Sequence, residues 1–261
     1  MAMISENGIC TTCQESLRFC LACNRPVSGK YYEFDGNGPY CKDCYRNRSP
    51  CDVCSAPLTD EQWRLSDGRI TCAQCHSTAI YFPAEANRLF LDVKQLAEQT
   101  LGIKLNVPTG LALVDRNQLR EVIRQQKEGN NKSDTRHLGN DALDPERTLG
   151  IYARRGMRRG IYIQTGLPRI LFLQITSHEY AHAWQGENCP IQSDLLLQEG
   201  FAEWVAFHVM GYYRYTKYQE RMLTREDNYG RGLRWMLEKE AKLGEAGVIE
   251  ICRKLETTCT D

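Results

Sequence analysis

The sequence carries no excess of charge and no long hydrophobic run. Lysine and arginine number 33, aspartate and glutamate also number 33, and the formal net charge is zero. A balanced chain has no overall attraction for nucleic acid or for anionic membrane surfaces. The longest apolar run, around 170–175, is too short to span a bilayer. Residues 20–75 show no concentrated basic stripe, so we expect neither nucleic acid nor a membrane as a partner.

The N-terminus lacks the features of an export signal. Residues 1–8 contain neither a basic segment nor an apolar core. In a secreted protein the 13 cysteines would suggest disulfides. Without an export signal, and spaced mostly as Cys-x-x-Cys, they indicate thiolate metal ligands in a reducing compartment. We therefore expect an intracellular, cytoplasmic protein.

Cysteine is abundant only in the first third of the chain, where it follows a repeat. The Cys-x-x-Cys pairs are Cys10/Cys13, Cys20/Cys23, Cys41/Cys44, Cys51/Cys54 and Cys72/Cys75. Seventeen residues separate the second pair from the third, and seventeen separate the fourth from the fifth, which indicates an internal repeat. Between them, 31–38 and 63–68 are typical of short hairpins. Such short elements bury too little surface to fold alone, so we expect tetrahedral zinc sites to hold them.

We assign two structural zinc ions to these thiolates. The first would be held by Cys20, Cys23, Cys41 and Cys44, and the second by Cys51, Cys54, Cys72 and Cys75. An interleaved, cross-brace pairing satisfies the same spacing and stays open here. Cys10 and Cys13 are left over, so residues 1–16 are interpreted as the remnant of a zinc knuckle. The scattered Cys189, Cys252 and Cys259 are interpreted as ordinary thiols.

A change of composition near residue 83 marks a second domain. Cysteine becomes rare and helical periodicity takes over, which predicts a helix ending at Gly102 and another beginning after Asp115. Residues 111–114 are typical of a strand, and 149–163 of a hairpin whose tip carries Arg154, Arg155, Arg158 and Arg159. We interpret this tip as a solvated basic turn, and a partner or substrate contact is the alternative. A polar loop is expected at 129–134. We divide the chain into 17–82 and 83–261.

One stretch of the second domain carries the pattern of a zinc site. In His178-Glu179-Tyr180-Ala181-His182 the two histidines stand four residues apart, so on a helix both project from one face and can bind one Zn²⁺. Glu179 is placed to accept a proton from a water molecule there. The flanking sequence is apolar, with Pro168 suited to the first helical turn and Gly186 to the end. We therefore predict a functional zinc site on a buried helix rather than a structural histidine pair.

Two acidic residues lie in the next predicted helix, which begins at 193–194. Glu199 and Glu203 stand in an otherwise apolar sequence, and an unpaired carboxylate is costly to bury. Glu199 as the third zinc ligand and Glu203 as the acceptor for a ligand histidine's free N–H would satisfy both. The alternative is that both are surface acids on the rim of the helix.

These segments together resemble a known family. Gly166-Leu167-Pro168-Arg169, the motif at 178–182 followed by Ala183-Trp184, and Glu199-Gly200 are similar to the peptidase domain of the plant ubiquitin-activated LIM-domain metallopeptidases. The six-residue gap between Cys44 and Cys51 resembles the LIM-like domain of the same family. The run Glu199-Gly200-Phe201-Ala202 is also similar to the third-ligand segment of the glutamate-type zincins. The resemblance extends from Cys20 to the C-terminus.

The resemblance implies an α+β fold, in which a small LIM-like double zinc-finger module precedes a zincin-like metallopeptidase domain. It implies a zinc endopeptidase that cleaves regulatory proteins. One catalytic zinc would lie at His178, His182 and Glu199, with Glu179 as general base and two structural zincs in the module. For the oxyanion donor the candidates are Tyr212, Tyr213 and His208.

The chain also departs from that family. It shows no full first LIM domain and no ubiquitin-interacting helices. We therefore expect a reduced relative, such as a bacterial one, in which ubiquitin is only a weak candidate partner. The expected partners are protein or peptide substrates, and a protein bound through the LIM-like module. The competing hypothesis is a LIM-like adaptor whose peptidase domain only binds partners.

Overall fold

The computed structural model describes residues 18–27, 29–34, 37–129, 148–155, 158–190 and 194–254. The chain divides into two compact units, Met1–Thr78 and Ala79–Asp261, whereas the sequence placed the boundary at 82/83. The N-terminal remnant with Cys10 and Cys13, the polar loop beyond Gly129, and Cys259 lie outside the described residues. Within the described ranges, no helix combines the length and apolar character needed to cross a membrane.

The first unit is built from short antiparallel hairpins and single-turn helices. Strands β1 (Arg18–Phe19) and β2 (Pro26–Val27) pair, as do β3 (Tyr32–Phe34) and β4 (Asn37–Tyr40), and β5 (Gln62–Arg64) and β6 (Ile70–Cys72). Helix α1 (Lys42–Asn47) follows β4, and α2 (Ala73–Ser77) follows β6. Hairpin and helix recur in the same order, so the predicted repeat is confirmed. Cysteines form much of its buried interior, so apolar burial alone holds it weakly.

The second unit combines a three-stranded mixed sheet with helices. Its elements are β7 (Ala79–Ile80), α3 (Pro83–Leu101), β8 (Gly110–Val114), α4 (Arg116–Gly129), β9 (Gly150–Arg155), β10 (Arg158–Gln164), β11 (Leu167–Pro168), α5 (Arg169–Asn188), α6 (Leu195–Tyr212), α7 (Thr216–Leu223) and α8 (Asn228–Lys254). Strand β10 is central, parallel to β8 and antiparallel to β9. The short strand β11 pairs with β7 just before α5.

Several predicted element ends are confirmed. Helix α3 ends at Gly102, whose φ of 67° lies in the left-handed region that glycine tolerates. The Asp115 carboxylate accepts a hydrogen bond from the backbone N–H of Gln118 at 2.8 Å, as an N-cap does. The expected stop of α5 at Gly186 is wrong, since the helix continues to Asn188. Helix α8 has a break at Gly244, whose φ is 71°, and the chain then resumes a helical course to Lys254.

Helices α5 and α6 lie in the core of the second unit. The rings of Trp184 and Phe201 are 5.4 Å apart between centroids, and Phe201 and Trp204 are 5.6 Å apart. All three side chains are fully buried, and burial of such a ring stabilises the fold by about 1.5–3 kcal/mol. This core fixes the two helices that carry the motif residues.

Helix α8 reaches the same core because two glycines meet. A Cβ atom added to Gly200 of α6 would lie 2.6 Å from the backbone of Gly232 in α8. A side chain at either position would therefore force the two helices apart. The contact brings the first turn of α8 against the segment of α6 that contains Glu199.

Candidate metal centres

The eight knuckle cysteines of the first unit come together in two sets of four. One set contains Cys20, Cys23, Cys41 and Cys44, the other Cys51, Cys54, Cys72 and Cys75, and within each set the sulfur atoms lie within 4.8 Å of one another. The Sγ–Sγ distance is 3.9 Å between Cys23 and Cys41, and 3.8 Å between Cys54 and Cys72. Sulfurs around a tetrahedral zinc ion, with Zn–S of about 2.3 Å, lie about 3.8 Å apart. The sets therefore fit zinc in the sequential pairing rather than the interleaved one.

Hydrogen bonds to the sulfurs favour the thiolate form that binds metal. The backbone N–H of Cys41 donates to Cys20 Sγ at 3.3 Å, and the backbone N–H of Cys72 donates to Cys51 Sγ at 3.3 Å. The Arg25 guanidinium donates to Cys23 Sγ at 3.4 Å. This bond is the main reason that the pKa of Cys23 falls to about 6. Because the thiolate is the form of cysteine that binds metal, these hydrogen bonds favour binding of a cation by the two sets.

In the second unit, α5 and α6 bring three further ligand atoms together. His178 Nε2 lies 3.0 Å from His182 Nε2 and 3.1 Å from Glu199 Oε2, and His182 Nε2 lies 3.4 Å from the same oxygen. All three side chains are buried. Nitrogen and oxygen ligands of a tetrahedral zinc ion, at about 2.0–2.1 Å from it, lie about 3.3–3.4 Å apart. Three buried acceptor atoms that converge repel one another unless a cation or a proton lies between them. The distances between these three atoms are close to those expected around Zn²⁺.

Two side chains lie next to the outer ring nitrogens of the two histidines. Gln185 Oε1 lies 2.9 Å from His182 Nδ1 and fixes that ring so that Nε2 faces the other ligands. Glu203 Oε1 lies 3.3 Å from His178 Nδ1, although this pair lacks the alignment of a hydrogen bond. Gln174 Nε2 donates to the other Glu203 oxygen at 3.3 Å. Glu203 therefore lies on the outer side of His178, away from the converging Nε2 atoms. The sequence analysis did not identify Gln185 as a residue of this group.

The carboxylates around His178 also control its protonation. Burial lowers the pKa of His178, but Glu199 and Glu203 outweigh burial and raise it to about 10. Burial raises the pKa of Glu199, but His182 and His178 together hold it well below its usual range. The two carboxylates therefore favour the protonated form of His178. A zinc ion must displace that proton, so the affinity for zinc falls as the pH is lowered.

Glu179 is held beside this group by the edge strand of the sheet. Its Oε2 accepts a hydrogen bond from the backbone N–H of Tyr152 in β9 at 2.7 Å. The strand passes so close at Gly150 that an added Cβ would lie 2.5 Å from Ile175 Cγ2 and 3.3 Å from Glu179 Cγ. A glycine is therefore needed for β9 to deliver its N–H to the carboxylate.

Tyr229 is a site residue that the sequence did not reveal. Its ring centroid lies 5.6 Å from that of His178, and the Arg225 guanidinium lies 4.6 Å above the same tyrosine ring. Burial, and then the charges of Glu199 and Glu179, raise the pKa of Tyr229 well above its usual range. The phenol therefore stays protonated and can donate a hydrogen bond.

The three oxyanion candidates named from the sequence have other contacts. Tyr212 is 65% exposed and packs edge-on against Tyr213. His208 Nε2 lies 3.1 Å from Glu240 Oε2, which also accepts a hydrogen bond from Trp204 Nε1 at 2.7 Å. Tyr229, by contrast, has its ring centroid 5.6 Å from that of His178.

Comparison with known proteins gives relatives among plant LIM proteins. Protein DA1 of Arabidopsis thaliana is 25% identical over 230 residues, covering 63% of this chain and 42% of that protein. Protein DA1-related 1 of the same plant is 26% identical over 263 residues, covering 69% and 47%. LIM domain-containing protein HDR3 of Oryza sativa subsp. japonica is 24% identical over 230 residues, covering 63% and 45%. The chain is similar to the plant DA1-type LIM proteins.

The chain spans about half the length of the curated DA1-type relatives it matches. No family model matches the chain. No solved structure matches it. The similarity to a LIM domain-containing protein agrees with the two cysteine sets of the first unit, because LIM domains hold zinc through such sets.

Arg159, and in part Arg154, do not belong to the solvated basic turn expected from the sequence. Arg159 is only 8% exposed along its side chain, and its guanidinium Nη2 donates to Glu187 Oε2 at 3.0 Å. Arg154 Nη1 lies 3.6 Å from the other oxygen of Glu187. Arg158 is exposed, and the side chain of Arg155 lies outside the described residues. The Glu187 ion pairs tie the end of α5 to the hairpin of β9 and β10.

Elemental analysis is expected to find about three zinc ions per chain of purified protein. The two cysteine sets and the group of His178, His182 and Glu199 motivate this number. Cys41→Ser should lose one of the three and unfold or aggregate the first unit, because structural zinc supplies folding free energy on the order of 10 kcal/mol. Recovery of one zinc from a folded protein whose knuckle thiols all titrate freely would refute the finger assignment.

Proposed function

We propose that the protein is a zinc-dependent endopeptidase, with a zincin-like second unit and a LIM-like double zinc-finger module before it. The observation that carries the proposal is the convergence of His178, His182 and Glu199, with Glu179 held beside them. Similarity to the DA1-type proteins supports the LIM-like module. The chemistry follows from the side chains themselves.

His178, His182 and Glu199 would hold the ion. Bound there, Zn²⁺ supplies a Lewis acid that polarises a scissile carbonyl and lowers the pKa of water to about 7. Glu179 accepts the proton of the attacking water and passes it to the leaving amine. The Tyr152 N–H bond at 2.7 Å fixes the Glu179 carboxylate in one orientation during both transfers. Glu203 and Gln185 keep the two imidazoles in place.

Tyr229 is proposed to stabilise the oxyanion of the tetrahedral transition state. Its phenol is protonated and lies next to the ligand group. Tyr229→Phe is therefore expected to lower kcat on the order of 10²-fold, with little change in KM or zinc content. The measurement is steady-state hydrolysis of a fluorogenic peptide together with zinc analysis. Tyr212→Phe is the matched control, since Tyr212 is exposed; parental kcat in Tyr229→Phe would refute the role.

Hydrolysis of labelled casein by the zinc-loaded full chain tests the proposed function. Activity is expected to disappear with a zinc chelator and to return with added Zn²⁺, because the chemistry depends on the ion held by His178, His182 and Glu199. Comparison of protein termini in cells with the active enzyme and with Glu179→Gln would then identify substrates. A zinc-loaded, folded protein that cleaves neither casein nor peptides made from its own sequence would contradict the proposal.

The second candidate function is a LIM-like adaptor that binds partners without cleaving them. The two cysteine sets and the similarity to a LIM domain-containing protein favour it. In that case a protein partner would bind through the first unit without being cleaved. Glu179→Gln would then bind that partner as the parent does. Ubiquitin is one partner to include in such binding assays, alongside protein substrates.

A further inference from the structure

Two cysteines of the second unit lie side by side and are not among the proposed zinc ligands. The Sγ atoms of Cys189 and Cys252 are 3.2 Å apart, although the residues are 63 positions apart in the chain. Both thiols are free. A disulfide bond is about 2.05 Å long, so a further approach of only about 1.2 Å would join them. We propose that Cys189 and Cys252 are a redox-active pair that closes to an intrachain disulfide, a modification site distinct from the proposed zinc sites.

The surroundings give the two sulfurs different roles. Cys189 is half-buried, whereas Cys252 is only 3% exposed. The neighbouring Cys189 sulfur, and then burial, raise the pKa of Cys252, so Cys252 retains its proton at neutral pH. A soluble oxidant therefore meets Cys189 first, and Cys252 resolves the intermediate.

With glutathione disulfide as oxidant the exchange balances. The Cys189 thiolate attacks one sulfur of glutathione disulfide, forms a mixed disulfide and expels one glutathione thiolate. The Cys252 sulfur then attacks the Cys189 sulfur, which breaks the mixed disulfide and expels the second glutathione thiolate. The two protein thiols lose two electrons and two protons, and both protons go to the glutathione thiolates. One molecule of oxidant becomes two molecules of reduced glutathione.

The pair connects the ends of two helices. Cys189 follows the last turn of α5, where its N–H donates to the Gln185 carbonyl at 2.9 Å. Cys252 lies in the part of α8 beyond the break at Gly244. The Arg253 guanidinium next to it lies 5.4 Å above the Trp184 ring. The disulfide would thus fasten the last segment of α8 to the end of α5.

One side chain links the thiol pair to the proposed zinc group. Gln185 Nε2 lies 3.8 Å from Cys252 Sγ and donates to the Gln198 carbonyl at 3.2 Å, while its Oε1 lies 2.9 Å from His182 Nδ1. The disulfide would fix the end of α5 and the last segment of α8, the two segments that Gln185 contacts or belongs to, and would thereby restrict the motion of Gln185. The oxidised form is therefore expected to release zinc from this group at least about two-fold more slowly than the reduced form. This consequence rests on the proposed zinc site.

The experiment uses the zinc-loaded full chain in glutathione redox buffers, followed by alkylation of free thiols and peptide mapping by mass spectrometry. The expected product is a Cys189–Cys252 cross-linked peptide pair that has lost two hydrogens and reverts with dithiothreitol. The melting temperature should rise by about 5–10 °C, because the cross-link closes a long loop. Cys189→Ser and Cys252→Ser should abolish both effects, and Cys259→Ser should retain them.

A stable glutathione adduct on Cys189 without a cross-link, or a disulfide from either thiol to a knuckle cysteine, would refute the proposal that Cys189 and Cys252 form a redox-active pair. Equal rates of zinc loss from the oxidised and reduced forms would refute the link through Gln185. Peptide mapping reads the disulfide without any assay of hydrolysis, so its result is independent of whether the proposed peptidase activity is found.

Discussion

Glu179→Gln is expected to lower peptide hydrolysis by roughly 10²-fold or more, while fold and zinc content stay as in the parent. Glutamine matches glutamate in size, and its amide oxygen can still accept the Tyr152 N–H bond that is seen at 2.7 Å. What the variant loses is the ability to take a proton from water and return it to the leaving amine. The loss should therefore appear in kcat, measured with a fluorogenic peptide beside elemental analysis.

Glu187→Gln, on the same helix, is a matched control for this variant. It removes the same charge from α5, but Glu187 faces Arg159 at the end of the helix rather than the ligand group. Its substitution should lower stability more than catalysis. Casein cleavage at the parental rate by the Glu179→Gln protein would show that Glu179 is not the base.

Local patterns predicted the elements well, because they depend on residues close in the chain. The Asp115 cap, the Gly102 end of α3 and the hairpin of β9 and β10 were each encoded within a few residues. The equal cysteine spacing identified the repeat. The spacing is the same for the sequential and the interleaved pairing of the cysteine pairs, so it could not distinguish them. The folded hairpins bring the cysteines together in the sequential pairing.

Contacts between distant segments explain what the sequence could not predict. Tyr229 reaches His178 because Gly200 and Gly232 let α8 lie directly on α6, and nothing in the local sequence of Tyr229 signals this. Arg159 was interpreted as solvated because its partner, Glu187, is 28 positions away. Cys189 and Cys252 are likewise 63 positions apart in the sequence and meet only in the folded chain. Each of these pairings is set by tertiary packing rather than by periodicity.

Glu199→Ala is expected to abolish binding of the third zinc while both finger zincs remain. Glu199 Oε2 lies 3.1 Å and 3.4 Å from the Nε2 atoms of His178 and His182, on the side where the ligand atoms converge. Removal of that carboxylate leaves two imidazoles, which is fewer protein ligands than a catalytic zinc site uses. Hydrolysis should fall to background and should not return with added Zn²⁺. The measurement is zinc per chain after dialysis.

Glu203→Ala should behave differently, because Glu203 lies 3.3 Å from His178 Nδ1, the nitrogen that faces away from the other ligands. Its carboxylate orients the imidazole, so the substitution should weaken zinc affinity by roughly 10–100-fold, and added Zn²⁺ should restore much of the activity. Zinc titrations of hydrolysis in both variants separate the roles. A zinc-free, inactive Glu203→Ala protein beside a Glu199→Ala protein rescued by metal would show that Glu203 is the ligand and Glu199 its support.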